Sequence, residues 1–175
     1  MKTWRPAQLS RGRQTLVRDG LAVEYAPGRI AAADLAATPA MRARLVCPLL
    51  PDGSTPATLT AAWIYTGWWP PSRLKRLCAA HPTSRHHCVV YRAQLKEEYS
   101  RELGGFTVPT TARTAFDLLA IEEPGVAVEC VIRLLRSGLN PEDLLLHSKR
   151  ERRRRGGPFA RKAAKALKTY IEETK

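Results

Sequence analysis

The sequence predicts an α+β fold: a compact mixed helix-and-sheet domain with a small basic helix-plus-hairpin element in front and a basic helix behind. Three observations predict it. Apolar residues at helical spacing alternate with short β-branched runs along the 175 residues. Hydrophobic residues make up 44%, enough for a packed core, and aromatics only 7%, so Leu, Val, Ala and Ile must fill it. The formal charge of +13 is unevenly placed, with +4 over residues 1–20, −3 over 101–148 and +8 over 149–175. Segment boundaries at 1–31, 32–150 and 151–175 follow. A chain this short excludes a large multi-domain enzyme. No run approaches the ~18 apolar residues of a membrane span, and Met1–Pro6 lacks an apolar signal region. Cys47, Cys78, Cys88 and Cys130 are scattered, so a soluble cytoplasmic protein with reduced thiols is expected.

Leu9, Leu16 and Val17 form the apolar stripe of a first helix, with Gly20 as its C-cap and a break expected near Ser10–Gly12. Leu21–Tyr25 reads as a strand, Ala26–Arg29 as a turn and Ile30–Ala31 as its return. A helix followed by a small hairpin has the shape of the last part of a winged helix, truncated at its front. Thr38-Pro39 caps and starts a helix carrying Met41, Leu45 and Val46, which Pro48 and Pro51 stop. Thr60 is placed as the cap of a short helix ending at Gly67, before the extended Trp68–Pro71. Strands are expected over 73–78, 87–93 and 98–106, the last ending at Gly104-Gly105. Thr110 or Thr111 caps the next helix, which Pro124-Gly125 breaks. Ala127, Val131, Leu134 and Leu135 mark another, and Asn140-Pro141-Glu142-Asp143 opens one with cap, proline and acids in order. The last helix starts at Pro158, with Phe159, Ala163, Leu167, Tyr170 and Ile171 on one face and Arg161, Lys165 and Lys168 on another.

The strongest chemical signal is the run Lys149, Arg150, Arg152, Arg153, Arg154 and Arg155, continued by Arg161, Lys162, Lys165 and Lys168. Arginines pair with phosphate oxygens in bidentate fashion, and Gly156-Gly157 lets backbone approach a ligand, so DNA, or RNA, is the expected partner. An acidic protein partner and a plain solvated face are the competing readings. Arg11, Arg13, Arg18 and Arg29 form a second basic set, suited to gripping a DNA backbone or to nothing beyond solvation. Trp63, Tyr65, Trp68 and Trp69 are read as packing rather than base stacking, because no basic residues interleave them. Cys78, His81, His87 and Cys88 suggest zinc at first glance. However, His87 and Cys88 are adjacent and point to opposite faces of a strand, so no metal and no cofactor is expected. Glu97-Glu98, Glu122-Glu123 and Glu172-Glu173 diverge on regular elements, and neither a phosphate-cradling loop nor a Gly-x-Ser-x-Gly elbow occurs. A non-enzymatic protein is expected, with nucleic-acid processing as a further alternative.

The ordered pieces Leu16-Val17-Arg18-Asp19-Gly20-Leu21, Ala26-Pro27-Gly28, Thr60–Gly67 and Val108–Leu118 resemble the AbiEi family of antitoxins from type IV (abortive infection) toxin–antitoxin systems, particularly its short actinobacterial members. The resemblance spans roughly residues 4–150, and its most specific block holds Arg113, Thr114 and Asp117. It implies a winged-helix DNA-binding part, an antitoxin domain, repression of the chain's own operon and a nucleotidyltransferase toxin as partner. On a helix, Arg113 and Asp117 can pair across one turn, so the block also reads as a structural ion pair and cap.

Overall fold

The computed structural model describes residues 11–70, 77–80, 88–91, 95–151 and 154–173, and they form a mixed α+β architecture of seven helices and three small sheets. Helix α1 (Arg11–Arg18) leads through Gly20, at φ +72°, into the antiparallel hairpin of β1 (Ala22–Ala26) and β2 (Arg29–Ala32). Gly12 lies inside α1, so the expected break falls before it at most. The hairpin turn is held by the Gly28 N–H, which donates to Glu24 Oε1 at 2.6 Å. Tyr25, Ala26 and Ala31 join the same apolar cluster as the later helices.

Helix α2 (Pro39–Val46) starts as its sequence dictates, the Thr38 hydroxyl accepting the Met41 N–H at 3.3 Å. Strand β3 (Thr55–Pro56) precedes α3 (Thr58–Thr66), which Gly67 closes in the left-handed conformation. Thr60 is not the cap of α3: the helix begins two residues earlier. The Thr60 hydroxyl instead accepts the Cys78 N–H at 2.7 Å, tying α3 to β4 (Cys78–Ala80). β3 pairs antiparallel with β4, which pairs parallel with β5 (Val89–Tyr91). The expected strand over 98–106 is shorter and doubled. Gly104 and Gly105, at φ +62° and +86°, reverse the chain so that β6 (Ser100–Leu103) pairs with β7 (Phe106–Pro109).

Helices α4 (Thr111–Ile121), α5 (Pro124–Arg136), α6 (Pro141–Arg150) and α7 (Gly157–Glu173) complete the chain. Pro124 does more than end α4, because it is the first residue of α5, with Glu123 capping the Gly125 N–H at 3.1 Å. Asn140 caps α6 through the Glu142 N–H at 2.9 Å. α4 packs against α3, α5, α6 and α7, which explains why Ala115, Phe116, Leu118 and Leu119 are all buried. Trp63 stacks on Trp69 at 5.8 Å and meets Tyr25 at 6.5 Å, so the aromatic cluster is interior. Trp68 lies under the Arg133 guanidinium at 3.8 Å.

Among the described residues, Arg42 is a buried cation held by carbonyls and by no acid. Arg42 donates to the carbonyls of Ile64 (2.7 Å), Tyr65 (2.9 Å) and Ala36 (2.8 Å), at the end of α3 where unpaired carbonyls collect. Charge-assisted bonds to a helix C-terminus offset its desolvation. Among the described residues, no helix is long and apolar enough to cross a membrane.

Candidate functional site

The start of α4 assembles the most ordered polar cluster. The Thr110 hydroxyl accepts the Arg113 N–H at 3.2 Å, and the Thr110 carbonyl accepts the Thr114 hydroxyl at 2.9 Å, which commits Thr114 to the helix. One turn on, Arg113 Nε donates to Asp117 Oδ2 at 2.7 Å. The second oxygen of Asp117 accepts Arg154 Nη1 at 2.8 Å. Arg113 and Asp117 are 4% and 8% exposed, so this is a buried carboxylate shared by two guanidiniums. Burial pushes the Asp117 carboxyl up, and the two arginines pull it back towards ionisation.

Within the arginine run expected to grip phosphate, Arg154 is engaged by Asp117 and Arg155 is exposed. Arg154 is turned inward and fastens the α6–α7 connection to α4. Gly156 has the same purpose: it sits at φ +77°, and a Cβ there would collide with the Ala120 carbonyl of α4. Gly156 therefore serves close packing of the chain on itself. Arg152 and Arg153 lie outside the described residues.

Around the cluster sit polar groups that the sequence did not advertise. His147 of α6 is 5% exposed, edge-on to Tyr99 at 4.4 Å and Phe116 at 5.2 Å, with no partner for its Nε2. Burial, reinforced by Arg113, Arg154 and Arg150, lowers its pKa to about 4, so it is neutral at pH 7. On the other side, Thr58 begins α3 at φ +34°, a costly conformation for a β-branched residue, and its buried hydroxyl makes no well-formed hydrogen bond. It faces Tyr91, whose hydroxyl donates to Glu122 Oε1 at 3.0 Å. Thr58, Tyr91, Arg113, Asp117 and Arg154 line a cavity of about 20 Å³. That holds one water and excludes a phosphate or a base. No local pattern marks Thr58 or Tyr91 in the sequence, because the cavity is made by elements far apart in it.

The exposed cations lie elsewhere. Lys149 and Arg150 end α6, Arg155 precedes α7, and Arg161, Lys162 and Lys165 form a stripe along its first half; all six are exposed. α7 has no acid in its first turn, and its acids, Glu172 and Glu173, stand at the far end. Lys168, assigned to the same set from sequence, is engaged by Glu142 and by Glu172, the latter at 3.5 Å, so it ties α7 to α6. At the N-terminal end, Arg18 is exposed and pairs with Asp19 at 3.0 Å, while Arg13 and Arg29 are half-buried. The side chain of Arg11 lies outside the described residues. Of the residues weighed and set aside as a zinc set, Cys78 is fully buried and Cys88 half-buried, and His81 and His87 lie outside the described residues.

No family model, curated protein or solved structure matches the chain.

Proposed function

We propose that the chain is a DNA-binding, antitoxin-like regulator that grips phosphate backbone through Lys149, Arg150, Arg155, Arg161, Lys162 and Lys165. The observation that carries the reading is the order of charge on α7. Cations near a helix start and acids at its end oppose the helix dipole, so helix stability gives no reason for that order. An anionic ligand gives one: it meets the basic stripe and the positive end of the helix together. The buried cluster holds this surface in place. Asp117 fixes Arg154, which sets the exit of α6 against the start of α7. The antitoxin part of the reading rests on the resemblance alone, and its partner would be a nucleotidyltransferase-type toxin.

The test is binding to a labelled duplex across a salt series. The wild-type chain should lose affinity steeply as salt rises, with a slope of about −0.9 per phosphate contacted. The variant Arg155→Ala/Arg161→Ala/Lys162→Ala/Lys165→Ala should keep its circular dichroism and flatten that slope by about 3.6. Unchanged affinity in this variant would remove the surface from the proposal. Binding that ignores salt, or no binding at all, would favour an acidic protein partner instead.

A further inference from the structure

The sequence pattern assigns Phe159 and Tyr170 to the core-facing side of α7, and the structure does not. The buried residues of the helix are Gly157, Ala160, Ala164 and Leu167. Phe159 and Tyr170 are 46% and 58% exposed. With half-buried Ala163 and exposed Ala166 they recur at spacings of four, three and four residues. That spacing draws a second apolar stripe along α7, beside the basic one, of the kind that lets two helices pack together.

From this stripe we infer that two copies of the chain pair through α7, antiparallel about a two-fold axis. Three features of the helix fit a second copy of itself. The first is size. Reversing one α7 against another sets Phe159 opposite the partner copy's Tyr170, and Ala163 opposite Ala166. The small residues then meet at the axis, where backbones approach most closely, and the large ones close both ends. A parallel pair would set Phe159 on Phe159 and Tyr170 on Tyr170, with the alanines leaving a gap at each small pair.

The second feature is charge. In the antiparallel register the exposed acid at the end of one helix, Glu173, comes alongside the exposed Arg155 before the start of the other, twice by symmetry. The arrangement also sets the two helix dipoles head to tail. The third feature is a receiving surface. Beside Tyr170, which the antiparallel register sets opposite the partner copy's Phe159, residues Ile132 and Leu135 of α5 and Leu139 help line an apolar groove of about 410 Å³. Pairing engages Arg155, but the stripe of Arg161, Lys162 and Lys165 flanks the contact, so it stays uncovered and two such stripes come into one symmetric surface.

Sedimentation velocity over a hundredfold range of concentration tests the inference on the full chain. A reversible monomer–dimer equilibrium is expected. Phe159→Asp and Ala166→Glu alter exposed positions, so both should fold as judged by circular dichroism and weaken dimerisation at least tenfold. Arg155→Glu and Glu173→Arg should each weaken it, and the double exchange should restore it. A wild-type chain that stays monomeric throughout would overturn the inference. So would a dimer indifferent to Phe159→Asp, or a double exchange no better than either single one. Because the readout contains no nucleic acid, failure here leaves the DNA-binding proposal standing, and failure of DNA binding leaves the dimer standing.

Discussion

Asp117 shows how one carboxylate can organise residues that the sequence keeps far apart. Its two oxygens hold Arg113 from the same helix and Arg154 from the connection between α6 and α7. Removing it strands two cations in a poorly solvated place. Asp117→Asn should therefore destabilise by about 3–5 kcal/mol in urea unfolding. Arg154→Ala should cost about 1.5–3 kcal/mol, because Arg113 still pairs the carboxylate. Equal losses from the two substitutions would contradict the shared-carboxylate arrangement. The same contact predicts that replacing Arg152, Arg153, Arg154 and Arg155 together lowers stability as well as any affinity for DNA. His147 supplies a pH dependence. Its folded pKa, about 4, lies below the unfolded value near 6.5, so between those limits the unfolded chain binds the extra proton. Stability should fall by about 3 kcal/mol as pH drops through that window, and be fully present above it. His147→Leu should flatten the dependence, and a slope unchanged by the substitution would assign it to other groups.

At the scale of elements, the sequence was readable wherever a boundary is set by local chemistry. Thr38-Pro39, Thr110 and Asn140-Pro141 each carry their own cap, and each helix starts there. It was less readable where tertiary contacts choose between local options. Thr60 has the side chain of a cap, but β4 takes its hydroxyl, so α3 starts at Thr58. The strand expected over 98–106 and ending at Gly104-Gly105 does turn there, but the chain returns as β7 to pair with it, a partner that no local pattern marks. On α7, Phe159 and Ala160 are both apolar neighbours, and hydrophobicity alone assigns the larger one inward. Close approach to α4, where Gly156 tolerates no Cβ, leaves room for the alanine only. The candidate site divides in the same way. The Arg113–Asp117 pair follows from helical spacing, whereas Arg154, Thr58 and Tyr91 reach it through the folded chain. No count of charge could tell Arg154, facing inward, from Arg155, facing out.

For the whole molecule, the uneven charge marks out surfaces more than segments. Among the described residues, the last basic stretch contributes the half-buried Arg154 to the Asp117 cluster, Lys168 to a tie between α6 and α7, and six exposed cations to the surface. The last helix contributes Ala160, Ala164 and Leu167 to the core. A chain stopped at residue 153 should therefore lose cooperative unfolding, rather than merely lose affinity for DNA. A sharp, wild-type-like thermal transition in that truncation would show the tail to be an attachment.

The bond between Asp117 and Arg154 also has a bearing on synthesis. As the chain leaves the ribosome, α4 emerges with a carboxylate and an apolar face whose covering has not yet been made. The second arginine and the alanines that seal that face are translated only after it. The centre of the protein is thus closed by later-made chain, and a nascent α4 must wait for α7.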